Sequence, residues 1–142
     1  MTTTRRKPAA LEALAKITAG INAYSDAGSA RKRALHAKGK VWLHKLACDL
    51  GLDTSEYDVR NNLGGIAVSG EVTLHSDTLY VQLSEHCFGG RAGVSVLYRT
   101  CSGRKDYCGH QNNTTTMSAV AADYEGFVAR LRRMAETVGS AA

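Results

Sequence analysis

The apolar positions of this chain change their spacing as the sequence proceeds, and each change marks a different element. Leu11, Leu14, Ile17 or Thr18, Ile21 and Tyr24 recur every three or four residues, the spacing that gathers side chains on one face of an α-helix. Pro8 suits the first helical position, so the pattern predicts a helix from there to about Ser25. Asp26-Ala27-Gly28 interrupts it, and Ser29 is a good N-cap for a second, longer helix. Leu35, Trp42, Leu43, Leu46 and Leu50 keep the helical spacing, and Gly51 followed by Leu52 reads as a left-handed stop. Gly39 lies inside this helix, where glycine costs about 1 kcal/mol against alanine and marks a point for a kink or break.

From Tyr57 the period becomes two. Ile66, Val68, Val72 and Leu74 alternate with Ala67, Ser69, Glu71, Thr73 and His75, the pattern of a half-exposed strand. A turn at Ser76-Asp77 leads into Thr78 to Ser84, where Leu79, Val81 and Leu83 alternate with Tyr80, Gln82 and Ser84, completing a hairpin. Gly70 marks a bulge or a close backbone approach. Val94 to Thr100 supplies another strand, and Tyr57 to Arg60 a short edge strand before the turn residues 61 to 65. Residues 85 to 93 form a loop containing Gly89-Gly90, and Cys101 to Thr116 a long polar loop. Tyr124, Phe127, Val128, Leu131, Met134 and Val138 make the apolar stripe of a closing helix, with Arg130, Arg132 and Arg133 mostly off it. The predicted class is α+β: an antiparallel sheet of three or four strands with two N-terminal helices and one C-terminal helix packed on one face. Residues 1–7 read as a flexible basic arm, 8–138 as a single domain and 139–142 as a frayed tail.

Composition adds the setting. A chain of 142 residues, 44% apolar and 22% charged, is ordinary globular usage. No run approaches the roughly 18 apolar residues of a membrane helix, and Met1 to Lys7 lacks the apolar segment of a signal peptide, so the expected location is the cytoplasm. In that reducing compartment Cys48, Cys87, Cys101 and Cys108 are expected as free thiols. The net charge of +5 is uneven: residues 1–50 hold 10 Lys/Arg against 3 Asp/Glu, a balance of +7, and residues 51–142 hold 8 against 10, a balance of −2. Such asymmetry favours association with polyanions, nucleic acid or an acidic protein surface.

Arg31-Lys32-Arg33 is the clearest local anomaly. If Ser29 caps the second helix, these cations sit at the positive end of its dipole, at a cost of about 0.3–1 kcal/mol each, which a bound anion would explain. With His36, Lys38, Lys40 and Lys45 they form a basic strip suited to a phosphate backbone; the same residues also fit a solvated helix face. Arg104, Lys105 and Tyr107 put two cations and an aromatic in a polar loop, a combination for phosphate contact and base stacking, or alternatively a loop tied down by Asp106 and Tyr107. Ser69, Glu71, Thr73, Tyr80 and Gln82 line the polar sheet face, read as solvated in preference to a recognition surface. His86, Cys87, Cys101, Cys108 and His110 are zinc-ligand types, but no two cysteines lie two to four residues apart, so no metal or cofactor is expected. Cys87 or Cys101 with His75 or His110 offers the materials of a thiol nucleophile. The sequence has no phosphate loop, nucleophile elbow or His-Glu-x-x-His motif, which makes binding the expectation and catalysis the alternative.

Tyr57 to Arg60, Gly64 to His75, Arg99-Thr100-Cys101 and Gly103 to Tyr107 give the central two fifths of the chain a distinctive wording. It resembles small proteins carried by phages and conjugative plasmids of proteobacteria. The resemblance implies a setting, that of an anti-defence factor of the anti-CRISPR type acting by binding, and attaches no catalytic residue or cofactor. Many anti-CRISPR proteins are acidic DNA mimics, and this basic chain departs from that pattern. The order α-β-β-β-α after the first helix is similar to that of double-stranded RNA-binding domains, although Arg130, Arg132 and Arg133 lie late in the last helix where that family places cations at the helix start. The expected function is non-enzymatic binding through Arg31, Lys32, Arg33, Lys38, Lys40, Arg104, Lys105 and Tyr107. The expected partner is a host defence protein or ribonucleoprotein, or else nucleic acid directly, with no membrane; a Cys/His enzyme is the third reading.

Overall fold

A computed structural model describes residues 7–85, 93–106 and 110–140. Leu11 and Leu14 do lie on the buried face of a helix, α1 (Ala9–Ala15), but it stops at Lys16. Residues 17–25 then run without regular structure. Ile21 is buried there because its backbone N–H donates to Glu85 Oε1 at 3.2 Å, whereas Tyr24, also on the predicted apolar stripe, is 75% exposed.

The second helix, α2 (Asp26–Asp49), begins one turn earlier than the sequence predicts. Ser25, rather than Ser29, is its cap, with Oγ accepting from the Gly28 N–H at 3.0 Å. The helix runs unbroken through Gly39, which faces the sheet. A Cβ there would stand only 3.2 Å from Val72 Cγ2 and from Leu83 Cδ1, so the missing side chain lets helix and sheet approach closely. At the other end the Leu52 N–H returns to the Ala47 carbonyl at 2.9 Å, the expected left-handed stop at Gly51.

Five antiparallel strands follow in chain order: β1 (Tyr57–Asn62), β2 (Glu71–Ser76), β3 (Leu79–Glu85), β4 (Val94–Thr100) and β5 (Asn113–Thr116). The register sets Val72 opposite Leu83, Leu74 opposite Val81, and Val81 opposite Tyr98. These residues share one buried face, while Thr73, His75, Tyr80, Gln82, Leu97 and Arg99 alternate onto the other. Two differences from the pattern stand out. Ile66 and Val68 are not in a strand: β2 starts after Gly70, whose φ of +67° brings its α-carbon against the Asn62 and Leu63 carbonyls, where a Cβ would collide. And β5 is a fifth strand made of Asn113 and three threonines, pairing with Ser95 to Tyr98 inside the segment that reads as a loop.

The single predicted C-terminal helix is two, α3 (Met117–Ala122) and α4 (Tyr124–Ser140). Thr116 Oγ1 caps the first by accepting from Ala119 N–H at 3.1 Å, and Asp123 Oδ1 accepts from Gly126 N–H at 3.0 Å at the start of the second. The last helix continues past the Val138 boundary set by its apolar stripe. All helices pack on one face of the sheet: α2 over β1 and β2, α4 over β3 and β4, α3 over β4 and β5, with α1 against α2 and α3. Trp42 is fully buried between these layers, its ring centroid 6.3 Å from that of Phe127, which meets Tyr98 edge-on at 5.4 Å. Among the described residues no helix is long and apolar enough to cross a membrane.

Two substitutions test this seating. Gly39→Leu should destabilise by about 1–3 kcal/mol through overpacking, and Trp42→Ala by about 3–5 kcal/mol through the cavity it leaves, both read from urea unfolding. A Gly39→Leu protein as stable as the parent would show that α2 does not bear closely on the sheet.

Candidate nucleic-acid interface

Residues 27–48 contain six Lys/Arg and no Asp or Glu, so α2 presents about six turns of cations with no carboxylate among them. Its cations divide by direction. Arg31 Nε donates to the Gly20 carbonyl at 2.6 Å, and Lys32, only 8% exposed, donates from Nζ to the Gly65 carbonyl at 2.8 Å. One turn on, buried His36 donates from Nε2 to the Ser69 carbonyl at 2.8 Å and accepts at Nδ1 from Asn61 Nδ2 at 3.3 Å. These three side chains fasten residues 17–25 and 62–70 to the helix. The bonds of Arg31 and Lys32 go to carbonyl dipoles, and neither cation has a carboxylate partner among the described residues.

Because Ser25 is the cap, Arg31, Lys32 and Arg33 lie beyond the first turn, where the helix dipole has fallen away. The inference of a bound anion from an unfavourable helix start is therefore withdrawn. What remains is the outer face. Arg33, Lys38 and Lys40 are exposed and Lys45 half-exposed. Helical spacing sets Arg33 with Lys40 along one side and Lys38 with Lys45 along the other, with exposed Ala30, Ala37 and Val41 between the rows. Lys45 lies 3.3 Å from Asp49 Oδ1, and Arg33 donates to Ser29 Oγ at 2.8 Å. Among the described residues, Arg33, Lys38 and Lys40 have no carboxylate partner.

No known protein family, curated protein or solved structure matches the chain. The site must be read from its own geometry.

Arg104 and Lys105 do not join this surface. Their loop is held to the opposite face of the sheet by Arg99, which the sequence does not single out as a site residue, and by His75, singled out there only as a partner for a thiol. Arg99, buried, donates to the Thr100 carbonyl at 3.2 Å and the Asp106 carbonyl at 3.0 Å while its guanidinium lies 4.6 Å from the Tyr80 ring centroid. His75 donates from Nε2 to the Gly103 carbonyl at 2.9 Å. The only forewarning was that an arginine and a histidine alternate with core residues in two strands. Arg104 itself bonds the Ser55 carbonyl and lies 3.7 Å from Asp58 Oδ2 and 3.3 Å from Asp77 Oδ1. The protein's own carboxylates thus balance its charge, while Lys105 is exposed and Tyr107 lies outside the described residues. Ser69, read as part of the polar sheet face, is buried in the 62–70 loop, with Oγ bonded to the Gly70 carbonyl and the Glu85 N–H.

His110 Nδ1 meets Thr100 Oγ1 at 2.8 Å, and Nε2 meets both Ser102 Oγ at 2.9 Å and Asp106 Oδ2 at 3.3 Å. Thr100 and Asp106 thus stand on opposite ring nitrogens, with Ser102 beside Asp106, and the imidazole ties the end of β4 to the 101–106 loop. Cys101 is buried with Sγ donating to the Ser76 carbonyl at 3.3 Å, and burial pushes its thiol pKa up. Cys48 is exposed on α2. His86, Cys87 and Cys108 lie outside the described residues, among which no group of three potential ligands converges.

Brief alkylation of the native protein followed by peptide mapping should modify Cys48 and spare Cys101; equal labelling would contradict the buried thiol. Burial, reinforced by the charge of Arg99 and opposed by the Gly103 hydrogen bond, holds His75 below the ordinary histidine value of 6.5. Its stabilisation is therefore complete above that value and lost as pH falls through the lower folded-state value. From about pH 7 to about pH 5 the parent should lose more stability than His75→Gln, measured as the shift of the urea midpoint.

Proposed function

We propose that this chain is a non-enzymatic binding protein whose α2 outer face engages the phosphate backbone of double-stranded nucleic acid. The observation that carries this reading is the stretch of α2 between its terminal Asp26 and Asp49, which has no carboxylate and directs Arg33, Lys38, Lys40 and Lys45 outward. Surface lysines are ordinarily interspersed with acids at i±4, which cancel the local field; here only Lys45 has such a partner. Rows of cations on either side of a crown of alanine and valine allow an α-helix about 10–12 Å across to approach between two lines of phosphates. The crown offers little to read base edges, so the contact is to backbone and indifferent to sequence.

The resemblance to phage and plasmid proteins supplies the setting: an anti-defence factor that occupies the nucleic acid of a host nucleic-acid-processing complex and blocks target engagement. The cytoplasm of a bacterial host belongs to the same reading.

The salt dependence of binding to a fluorescent duplex, followed by anisotropy, tests it. With about four phosphate contacts the plot of log affinity against log salt should have a slope of about −3 to −4, and Lys38→Ala with Lys40→Ala should reduce that slope by about two. Lys105→Ala, on the far side of the sheet, should change neither. A double variant with unaltered affinity and slope would remove α2 from the interface.

A further inference from the structure

The loop between β1 and β2 exposes three large aliphatic side chains on a fixed backbone. Leu63, Ile66 and Val68 are 55%, 60% and 51% exposed. Loops at rest in water seldom carry such a cluster, and a contiguous exposed apolar patch marks an interaction site. The loop is nevertheless tied at successive points: the Ile66 carbonyl accepts from the Ala23 N–H at 3.0 Å, the Gly65 carbonyl from Lys32 Nζ at 2.8 Å, the Ser69 carbonyl from His36 at 2.8 Å, and the Gly64 N–H donates to Asn62 Oδ1 at 3.1 Å. Val68 lies over Gly64. Between this loop and the start of α2 runs a groove of about 280 Å³ whose lining includes Ala23, Leu63 and Ile66, with Lys32 and Arg33 beside them. An apolar surface already ordered in the free protein can be covered without a further entropic cost of ordering the loop.

The charges decide what covers it. A second copy of the chain in a two-fold contact would set Arg33, Lys38 and Lys40 of α2 against their own equivalents. A phosphate backbone would match the cations and leave Leu63 and Ile66 in water. An acidic polypeptide with an apolar anchor satisfies both halves of the groove. We infer that the Ala23–Leu63–Ile66 groove docks an acidic segment of a partner protein, one aliphatic or aromatic side chain filling the groove and its carboxylates facing Arg33. This surface is separate from the nucleic-acid reading of the outer face, sharing only Arg33 with it.

The test selects a displayed library of random twelve-residue peptides against the full chain. The chemically synthesised winner is then located by methyl NMR on the Leu, Ile and Val side chains. Selected peptides should combine acidic residues with one large apolar residue, and should shift the Leu63, Ile66 and Val68 methyls. Ile66→Ser, a change at an exposed position whose folding is checked by urea unfolding, should bind the peptide about tenfold or more weakly, the scale of one lost aliphatic contact. Arg33→Ser should weaken it as well, while duplex affinity is unchanged in Ile66→Ser, which separates this docking from the α2 reading. The inference is overturned if selection returns no binder or basic binders, if those methyls do not shift, or if Ile66→Ser binds equally. It also falls if the same methyls respond instead to the chain's own concentration or to duplex.

Discussion

The closeness of α2 to the sheet at Gly39 governs much of the rest. With Val72 and Leu83 filling the space where a side chain would stand, the helix axis comes near enough that groups up to about three turns away reach the connections around the sheet and the neighbouring helix. His36 and Lys32, one and two turns toward the N-terminus, find the carbonyls of Ser69 and Gly65. Toward the C-terminus, Asp49 takes the Tyr124 hydroxyl at 2.6 Å, and its carbonyl takes Arg132 at 2.6 Å, joining α2 to α4. Trp42 between them contributes apolar contact with Phe127. A single missing side chain thus aligns a set of long-range hydrogen bonds that no segment makes alone.

Those bonds explain how a helix with cations on several sides holds a basic surface with no carboxylate between Asp26 and Asp49. Burying an ammonium is more tolerable when its hydrogens are bonded, and Lys32 gives one of its three to the Gly65 carbonyl. Had Arg31 and Lys32 been paired with aspartates, the field of the helix would be partly cancelled at its source. With carbonyl partners the inward cations stabilise the fold and still add to the potential felt at Arg33, Lys38 and Lys40.

Periodicity made the long helix, the β2–β3 hairpin, β4 and the stripe of α4 legible, because each carries enough apolar residues at one spacing for the buried face to declare itself. It misled where a second force acted. Ile66 and Val68 continue the alternation of β2, yet the backbone turns at Gly70, and alternation cannot show that a residue in phase with a strand lies outside it. Tyr24 is in phase with α1 but follows a segment tied down by Glu85 and Arg31, contacts far away in sequence. β5 has no apolar residue to announce it. The basic strip was visible as composition, but its division into inward and outward cations was not, since it depends on a cap at Ser25 and on which carbonyls the folded loops present.

The placement of Arg104 completes the electrostatic argument. It is the one described cation of the 101–106 loop enclosed by acids, with Asp58 and Asp77 beside it, and it lies on the face of the sheet that α2 does not touch. Arg60 on the same side also has Asp58 at 3.6 Å. Behind the sheet Arg60 and Arg104 thus have carboxylate neighbours, whereas Arg33, Lys38 and Lys40 on the outer face of α2 have none among the described residues. On the proposed reading a polyanion would meet the α2 face through Arg33, Lys38 and Lys40, whose charges no neighbouring carboxylate offsets among the described residues. The apolar groove at Leu63 and Ile66 lies at the margin of that face, with Arg33 common to both.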